Sequence, residues 1–359
     1  MILILLLLVG AAVLCSNQCI RRFGFEKLEY ALRFDEQEAV EGGYVTLIET
    51  VCSRKLLPLP WVKAELTTDA SLLFATDQSA VSEETRFVSS FFCLMPYRQI
   101  ERRWKVQCTK RGIFTVSHAV LVLSDLFATL EISRLFPDAS AQLTVLPAVR
   151  ETDLLPDAPQ QIIGDLLRAR TLIPDRFAVC GIRKYEEGDS LRDLCISATA
   201  RFDEPMVWQY QETVSPSMTV LLNLETRDTD RDVVSDKAVY ENAIRLCAAC
   251  LGQAAAMRLP VRLCANAAIG QMPADSGLRS GYDALHDLLL MLAALPFQIS
   301  ERFDRLLQRI GTEGSVLVIT AQPTPAIIRY AAAHPATTVL SLKPFRQSEM
   351  PDRFHYIPI

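Results

Sequence analysis

Histidine is scarce in this 359-residue chain: four copies, at 118, 286, 334 and 355, stand far apart and outside any catalytic motif. His286, on a leucine-rich stretch next to Asp287, reads as a helix-surface residue and not as a base. No nucleophile motif of the G-x-S-x-G kind occurs. Gly311-Thr312-Glu313-Gly314-Ser315 is too short for a phosphate loop and has no lysine. Positive charge is not in excess either. With 37 Lys and Arg against 42 Asp and Glu, net charge −5, the chain has no broad nucleic-acid surface, which needs clustered cations. Cysteine is present in ten copies but without framework spacing, so the thiols read as small core hydrophobes suited to a reducing compartment. Cys247 and Cys250 form a CxxC, yet they lie on one apolar stripe with no second ligand pair, which favours packing over zinc or redox chemistry. The expectation is a protein that is not an enzyme and holds no cofactor.

Half of the residues are apolar, and the length allows two or three domains. Met1 to Cys15, MILILLLLVGAAVLC, carries no charge and no proline. It is slightly short of the ~20 apolar residues of a full span. The uncharged Ser16 to Ile20 can finish the crossing in the headgroup zone. No basic segment precedes it, as a cleavable signal would require, and Val13 and Leu14 spoil a lipobox at Cys15. Arg21, Arg22 and Lys27 follow the run, so the positive-inside rule places the bulk of the chain in the cytoplasm. Residues 1–20 are therefore expected to be a single-pass anchor in the cell membrane.

Residues 24–147 hold about seven short, alternating, β-branched or aromatic runs, among them YALRFD, YVTLIETV, WVKAELTT and IFTVSHAVLVLS. Turn residues such as Glu41-Gly42-Gly43 and Lys110-Arg111-Gly112 separate them. This pattern predicts an antiparallel β-sandwich of the immunoglobulin or fibronectin kind over 21–150. Residues 151–176 read as a proline- and charge-rich connector with one short helix. Beyond it strand and helix periods alternate. MTVLLNL, VRLCA, SVLVIT and TTVLSL are buried-strand runs. Apolar residues at i, i+3, i+4 mark helices over 236–257 and over Leu285 to Leu295, with further helices near 300–310 and 325–334. The alternation predicts a parallel sheet wrapped by helices over 206–359.

Between these regions lies the most distinctive segment, GIRKYEEGDSLRDLCISATAR, residues 181–201. Gly188 before Asp189 fits a tight turn presenting a carboxylate that caps a helix starting near Ser190. Arg183, Arg192 and Arg201 can each bind a carboxylate in bidentate fashion. Two readings follow, a structural Arg–Asp network or an anion or phosphate site, and the network is the favoured one.

The segment resembles the signature of the bacterial domain-of-unknown-function 58 family, through Gly181, Arg183, Tyr185, Gly188, Asp189, Arg192, Thr199, Ala200 and Arg201. Ile196 stands where that family usually has tryptophan. Arg111-Gly112-Ile113-Phe114 and Asp125-Leu126-Phe127 resemble two further stretches of the family. The resemblance covers nearly the whole chain and makes 151–205 a connector and signature segment. It implies a C-terminal half of von Willebrand A type. It also implies a partnership with MoxR-type AAA+ ATPases in assembling or maturing envelope or secreted complexes. Von Willebrand A modules bind a divalent metal through D-x-S-x-S after their first strand. Here that stretch is Asn223-Leu224-Glu225-Thr226-Arg227, and the second ligand position, after SVLVIT, is Thr320. An amide and a guanidinium oppose a hard cation that wants anionic oxygens, so the site is expected to be degenerate and metal-free. The rival expectation is a metal-dependent adhesion module or enzyme facing outside.

Overall fold

The computed structural model describes residues 2–75, 79–82, 85–125, 129–149, 173–186, 191–213, 217–227, 230, 232–310, 315–334, 336–345 and 353–357. Side chains at 2–9, 11, 12, 118, 173–178, 180, 191, 209–213 and 282 lie outside that description, as do most of the expected connector, Gly188, Asp189, Ser190, Leu126, Phe127 and Gly311–Gly314. The chain divides into two compact units, Met1–Ala148 with Leu289–Leu295, and Val149–Leu288 with Pro296–Ile359.

The first unit opens with helix α1 (Ile2–Phe23). Among the described residues no helix is long and apolar enough to cross a membrane. Eleven strands follow: β1 (Leu28–Phe34), β2 (Glu38–Val40), β3 (Tyr44–Ser53), β4 (Leu59–Asp69), β5 (Leu72–Phe74), β6 (Ser79–Ser82), β7 (Thr85–Leu94), β8 (Gln99–Cys108), β9 (Gly112–Ser124), β10 (Glu131–Phe136) and β11 (Ala141–Leu146). They make two sheets, β1-β3-β8-β5 and β2-β11-β9-β4-β7-β6, with β10 added on β9. Pairing is antiparallel except between β11 and β2. Strict alternation, as in β1 with its buried Leu28, Tyr30, Leu32 and Phe34, aims one face of each sheet into a shared core with Leu47, Val62, Leu121 and Leu143. The buried carboxylate of Glu49 accepts there from the Tyr30 hydroxyl (2.9 Å) and the Trp104 indole (3.0 Å). The resulting β-sandwich has four more strands than the seven expected: β2, β5 and β6 are too short to show a period, and β10 is a largely exposed strand added on β9.

Helix α1 is fastened to this sandwich at its carboxyl end. Ile20 is buried in the core, and the Lys55 ammonium donates to the carbonyls of Phe23 (2.8 Å) and Gly24. A cation at a helix C-terminus satisfies orphan carbonyls and complements the macrodipole. The buried Arg111, in the same unit as Leu289–Leu295, donates to the carbonyls of Leu292 (2.7 Å), Ala293 (3.1 Å) and Leu295 (3.2 Å).

The second unit begins with a two-stranded ribbon, β12 (Ile173–Lys184) and β13 (Met206–Thr213), with helix α2 (Ile196–Phe202) between them. The main sheet follows: β14 (Met218–Leu222), α3 (Lys237–Ala256), β15 (Val261–Ile269), β16 (Met272–Arg279), α4 (Tyr282–Ala294, whose residues from Leu289 on belong to the first unit), α5 (Phe303–Arg309), β17 (Ser315–Thr320), α6 (Pro325–Ala333), β18 (Thr337–Ser341) and β19 (Phe354–Tyr356). Its order is β16-β15-β14-β17-β18-β19, parallel throughout except for the edge strand β16. β14, β17 and β18 are buried at every position, as central strands covered on both faces must be. Cys247 and Cys250 are buried on α3, and burial pushes the Cys250 thiol up to about 12. The α5 helix starts at Phe303, later than the expected 300.

The Lys55 contact generates a test. Burial, opposed by nearby Glu26, pushes its ammonium down to about 8. An unfolded lysine keeps its proton to about 10.4. Between these values the unfolded state holds more protons, so this residue's contribution to stability rises with pH. Lys55→Met is expected to cost about 1–3 kcal/mol at pH 7, by stranding two carbonyls, and to remove that rise. Chemical denaturation of both proteins at pH 7, 8, 9 and 10 measures it. Equal stability at pH 7 contradicts the docking role.

Candidate functional site

In a doubly wound sheet the connections on either side of the first strand run to opposite faces. The crevice beyond the carboxyl ends at that switch point is where ligands bind. Here the switch point lies between β14 and β17, and the residues that leave those strands are Asn223 and Thr320. The structure thus brings together two positions singled out from sequence, nearly a hundred residues apart.

Both are buried, and they bond to each other. The Asn223 amide donates to Thr320 Oγ1 at 3.0 Å, while Thr320 Oγ1 donates on to the Gln322 carbonyl at 2.9 Å. Asn223 Oδ1 accepts from the Glu225 N–H (3.0 Å) and from Asn266 Nδ2 (3.4 Å). Asn266, on β15, returns its own Oδ1 to the Leu224 N–H at 2.8 Å. The ends of three strands are therefore tied by neutral donors and acceptors. A carboxylate at 223 accepts only, so it would draw the Thr320 proton away from the Gln322 carbonyl and break this relay.

The two acids nearby serve the backbone. Glu225 is buried and its Oε1 accepts from the Phe303 N–H (2.9 Å) at the start of α5, whose N-cap residue Arg302 supplies no side-chain bond. Burial pushes Glu225 above its ordinary range, more than the Phe303 bond and the Arg302 charge pull it down. Asp230, also buried, gathers the loop between β14 and α3. Its carboxylate accepts from Thr226 N (2.9 Å), Thr226 Oγ1 (2.7 Å), Arg227 N (3.2 Å), Ser235 N (3.4 Å) and the Ser235 hydroxyl. Desolvation raises its pKa, but the Ser235 and Thr226 bonds outweigh it and hold it at about 2. The Lys343 ammonium closes the loop from the other side, donating to the Thr226 carbonyl at 2.8 Å. Arg227, the fifth position of the stretch, has an exposed side chain. Among the described residues no group of three or more His, Cys, Asp or Glu is placed to hold a metal ion.

Sequence reading missed Asp230, Asn266 and Lys343. Asn266 was visible as a lone amide inside an apolar strand run. Asp230 had only a weak signal, since Thr226, Ser235 and Asp236 around it look like ordinary loop residues.

The signature segment divides differently. Gly181, Arg183 and the start of the loop sit on β12, where Gly181 pairs with Gln209 and Arg183 with Val207. Arg183 donates to the Lys184 carbonyl (3.1 Å), and the Tyr185 N–H to the Pro205 carbonyl (2.9 Å). Thr199 locks α2 onto β13, its hydroxyl oxygen accepting from Met206 N at 3.0 Å. Arg192, in a single 3-10 turn over Leu191–Asp193, and Arg201, on α2, are exposed. The helix expected near Ser190 begins at Ile196, after that turn, and its N-cap Cys195 makes no side-chain cap. Ile196 itself is 82% exposed. Asp189 and Gly188 lie outside the described residues.

No protein-family model matches the chain, and no curated protein does. Solved structures match about a third of it. A non-cellulosomal cohesin from the archaeon Archaeoglobus fulgidus is 8% identical, covering 33% of this chain and 91% of its own, with a TM-score of 0.24. The CARDB domain of a Pyrococcus furiosus protein, solved with di-metal ions, is 10% identical, covering 34% and 91%, at 0.23. A cohesin module from a Clostridium perfringens family 33 glycoside hydrolase is 7% identical, covering 33% and 100%, at 0.23.

Asp230 sets the acid response of this site. Its folded value of about 2 lies below the ordinary 3.8, so its stabilisation is complete above pH 4 and is lost as pH falls toward 2. Asp230→Asn is expected to lower stability by about 2 kcal/mol at pH 7, through loss of bonds to a charged acceptor, and to flatten the acid limb between pH 4 and 2. Denaturant titrations across that range decide it; an unchanged acid limb contradicts the assignment.

Proposed function

We propose that this chain is a non-catalytic, membrane-tethered interaction protein. Its parallel-sheet unit acts as a degenerate von Willebrand A-like module, and its sandwich as a second, immunoglobulin- or fibronectin-like surface. The single observation that carries this reading is the Asn223–Thr320 hydrogen bond (3.0 Å), which fills the switch point with neutral, mutually satisfied groups. The doubly wound order with one antiparallel edge strand supports the module type. The tether rests on the sequence alone, the uncharged run from Met1 to Ile20 ahead of Arg21 and Arg22, since no described helix is long and apolar enough to cross a membrane.

A MoxR-type AAA+ ATPase is the proposed partner, in assembly or maturation of envelope or secreted complexes. The signature segment suits a recognition surface in one respect: it exposes Arg192, Ile196, Arg201 and Phe202 while Cys195, Ala198 and Val207 anchor it from beneath. Exposed guanidinium groups beside exposed apolar side chains are the composition of interaction hot spots.

The test is capture of the MoxR-type ATPase encoded nearest to this chain's gene by the full chain in vesicles, beside melting curves. Arg201→Ala is expected to leave the melting temperature within about 1 °C, as surface substitutions do, while lowering ATPase retention severalfold. Undiminished retention, or retention lost only in step with stability, contradicts a recognition role for this segment.

A further inference from the structure

The strand registers place many chain reversals at one end of the sandwich. Leu28 pairs with Ser53, Cys52 with Gln99, Leu59 with Leu94, Trp61 with Ser124, and Ser124 with Glu131. This is also the end that receives α1. Asn17 Nδ2 donates to Thr129 Oγ1 (3.1 Å), and Thr129 is held by the buried Asp125 through its N–H (2.6 Å) and its hydroxyl (2.9 Å). Lys55 grips the carbonyls of Phe23 and Gly24, and the Arg54 N–H donates to the Lys27 carbonyl (3.0 Å). The Tyr97 N–H donates to the Lys55 carbonyl (3.2 Å), which brings the turn after β7 to the same place.

The side chains here are the reverse of what a water-facing rim shows. Leu56, Tyr97, Met95, Trp61 and Phe23 are between 76% and 42% exposed. Arg21, Arg22, Lys27, Arg54 and Arg98 stand exposed among them. The acids in reach are Glu26, Glu29 and Glu131, of which Glu29 is paired with Arg54 at 3.0 Å. Trp and Tyr with an apolar body and a polar tip, set among Lys and Arg, make the composition of a membrane–water interface. Exposed apolar patches rimmed by polar groups mark contact surfaces, and continuity with α1 says which surface this one meets.

We propose that this end of the sandwich is seated in the headgroup zone of a lipid bilayer, with Trp61 and Tyr97 at the level of the glycerol backbone and the five cations on the phosphates. The proposal rests on the membrane tether proposed above. It adds that the sandwich does not hang from a free stalk: the contacts of Asn17, Ile20 and Phe23 hold it against the bilayer.

The full chain is reconstituted into vesicles of phosphatidylcholine and phosphatidylglycerol, with and without bromine on the acyl chains near the glycerol, and floated on a density gradient. Tryptophan emission is compared for wild type and Trp61→Phe, which keeps an aromatic ring at a half-exposed position. Wild type is expected to lose about a third of its emission to bromine, the share of one tryptophan in three, because an indole in the interfacial belt lies within contact of the quencher. Trp61→Phe is expected to lose almost none. Protein that floats but is quenched equally in both forms overturns the seating and leaves the tether standing. Protein that does not float overturns the tether, and the seating with it.

Discussion

The second unit depends on how one neutral amide is satisfied. Asn223 leaves the central strand at the point where a doubly wound sheet opens a crevice, and its carboxamide has a donor and an acceptor to place. The donor goes to Thr320 and the acceptor takes Glu225 N and Asn266 Nδ2, so the ends of β14, β15 and β17 become one knot. Unpaired, those buried groups would each cost about 1–3 kcal/mol. Paired, they tie the three strand ends together. The acids beside the knot fall into place around it: Glu225 caps α5, and Asp230 gathers its own loop.

Electrostatics make the two acids unlike. Glu225 is buried with one backbone donor, so desolvation wins and its proton is held more tightly. Asp230 is buried too, but a ring of N–H and O–H donors outweighs desolvation and keeps it ionised. A carboxylate so occupied has its lone pairs committed to the loop it stabilises. The same economy governs the first unit, where the Lys55 ammonium is taken up by the carbonyls that end α1, and Glu49 by Tyr30 and Trp104. These three buried charges, Lys55, Glu49 and Asp230, are spent on backbone or core groups.

Much of this architecture was legible in the sequence, and for identifiable reasons. Alternation at period two in YALRFD and WVKAELTT follows from one buried sheet face, and continuous apolar runs such as MTVLL and SVLVIT from strands buried on both. Helix α3 was readable because Asp236, which caps it through Ala238 N and Val239 N, precedes an unbroken i, i+3, i+4 stripe. The edge strand β16 was not. Its segment MPADSGLR contains proline and glycine and is largely exposed, so it forms by pairing with β15 and not by its own pattern. At the site, Asn223 and Thr320 were singled out together only through the family resemblance, and the use made of them was hidden. Whether an amide is a vacancy or a knot depends on Asn266 and Gln322, distant residues whose proximity only the fold reveals.

The central claim is that hydrogen bonds, and no cation, hold the strand ends of the parallel sheet. Calorimetric titration of the intact protein with Mg²⁺ and with Mn²⁺, each checked by the shift in melting temperature, tests it most directly. The account predicts no saturable heat and no shift. A stoichiometric site of micromolar affinity that is lost in Glu225→Gln would contradict it.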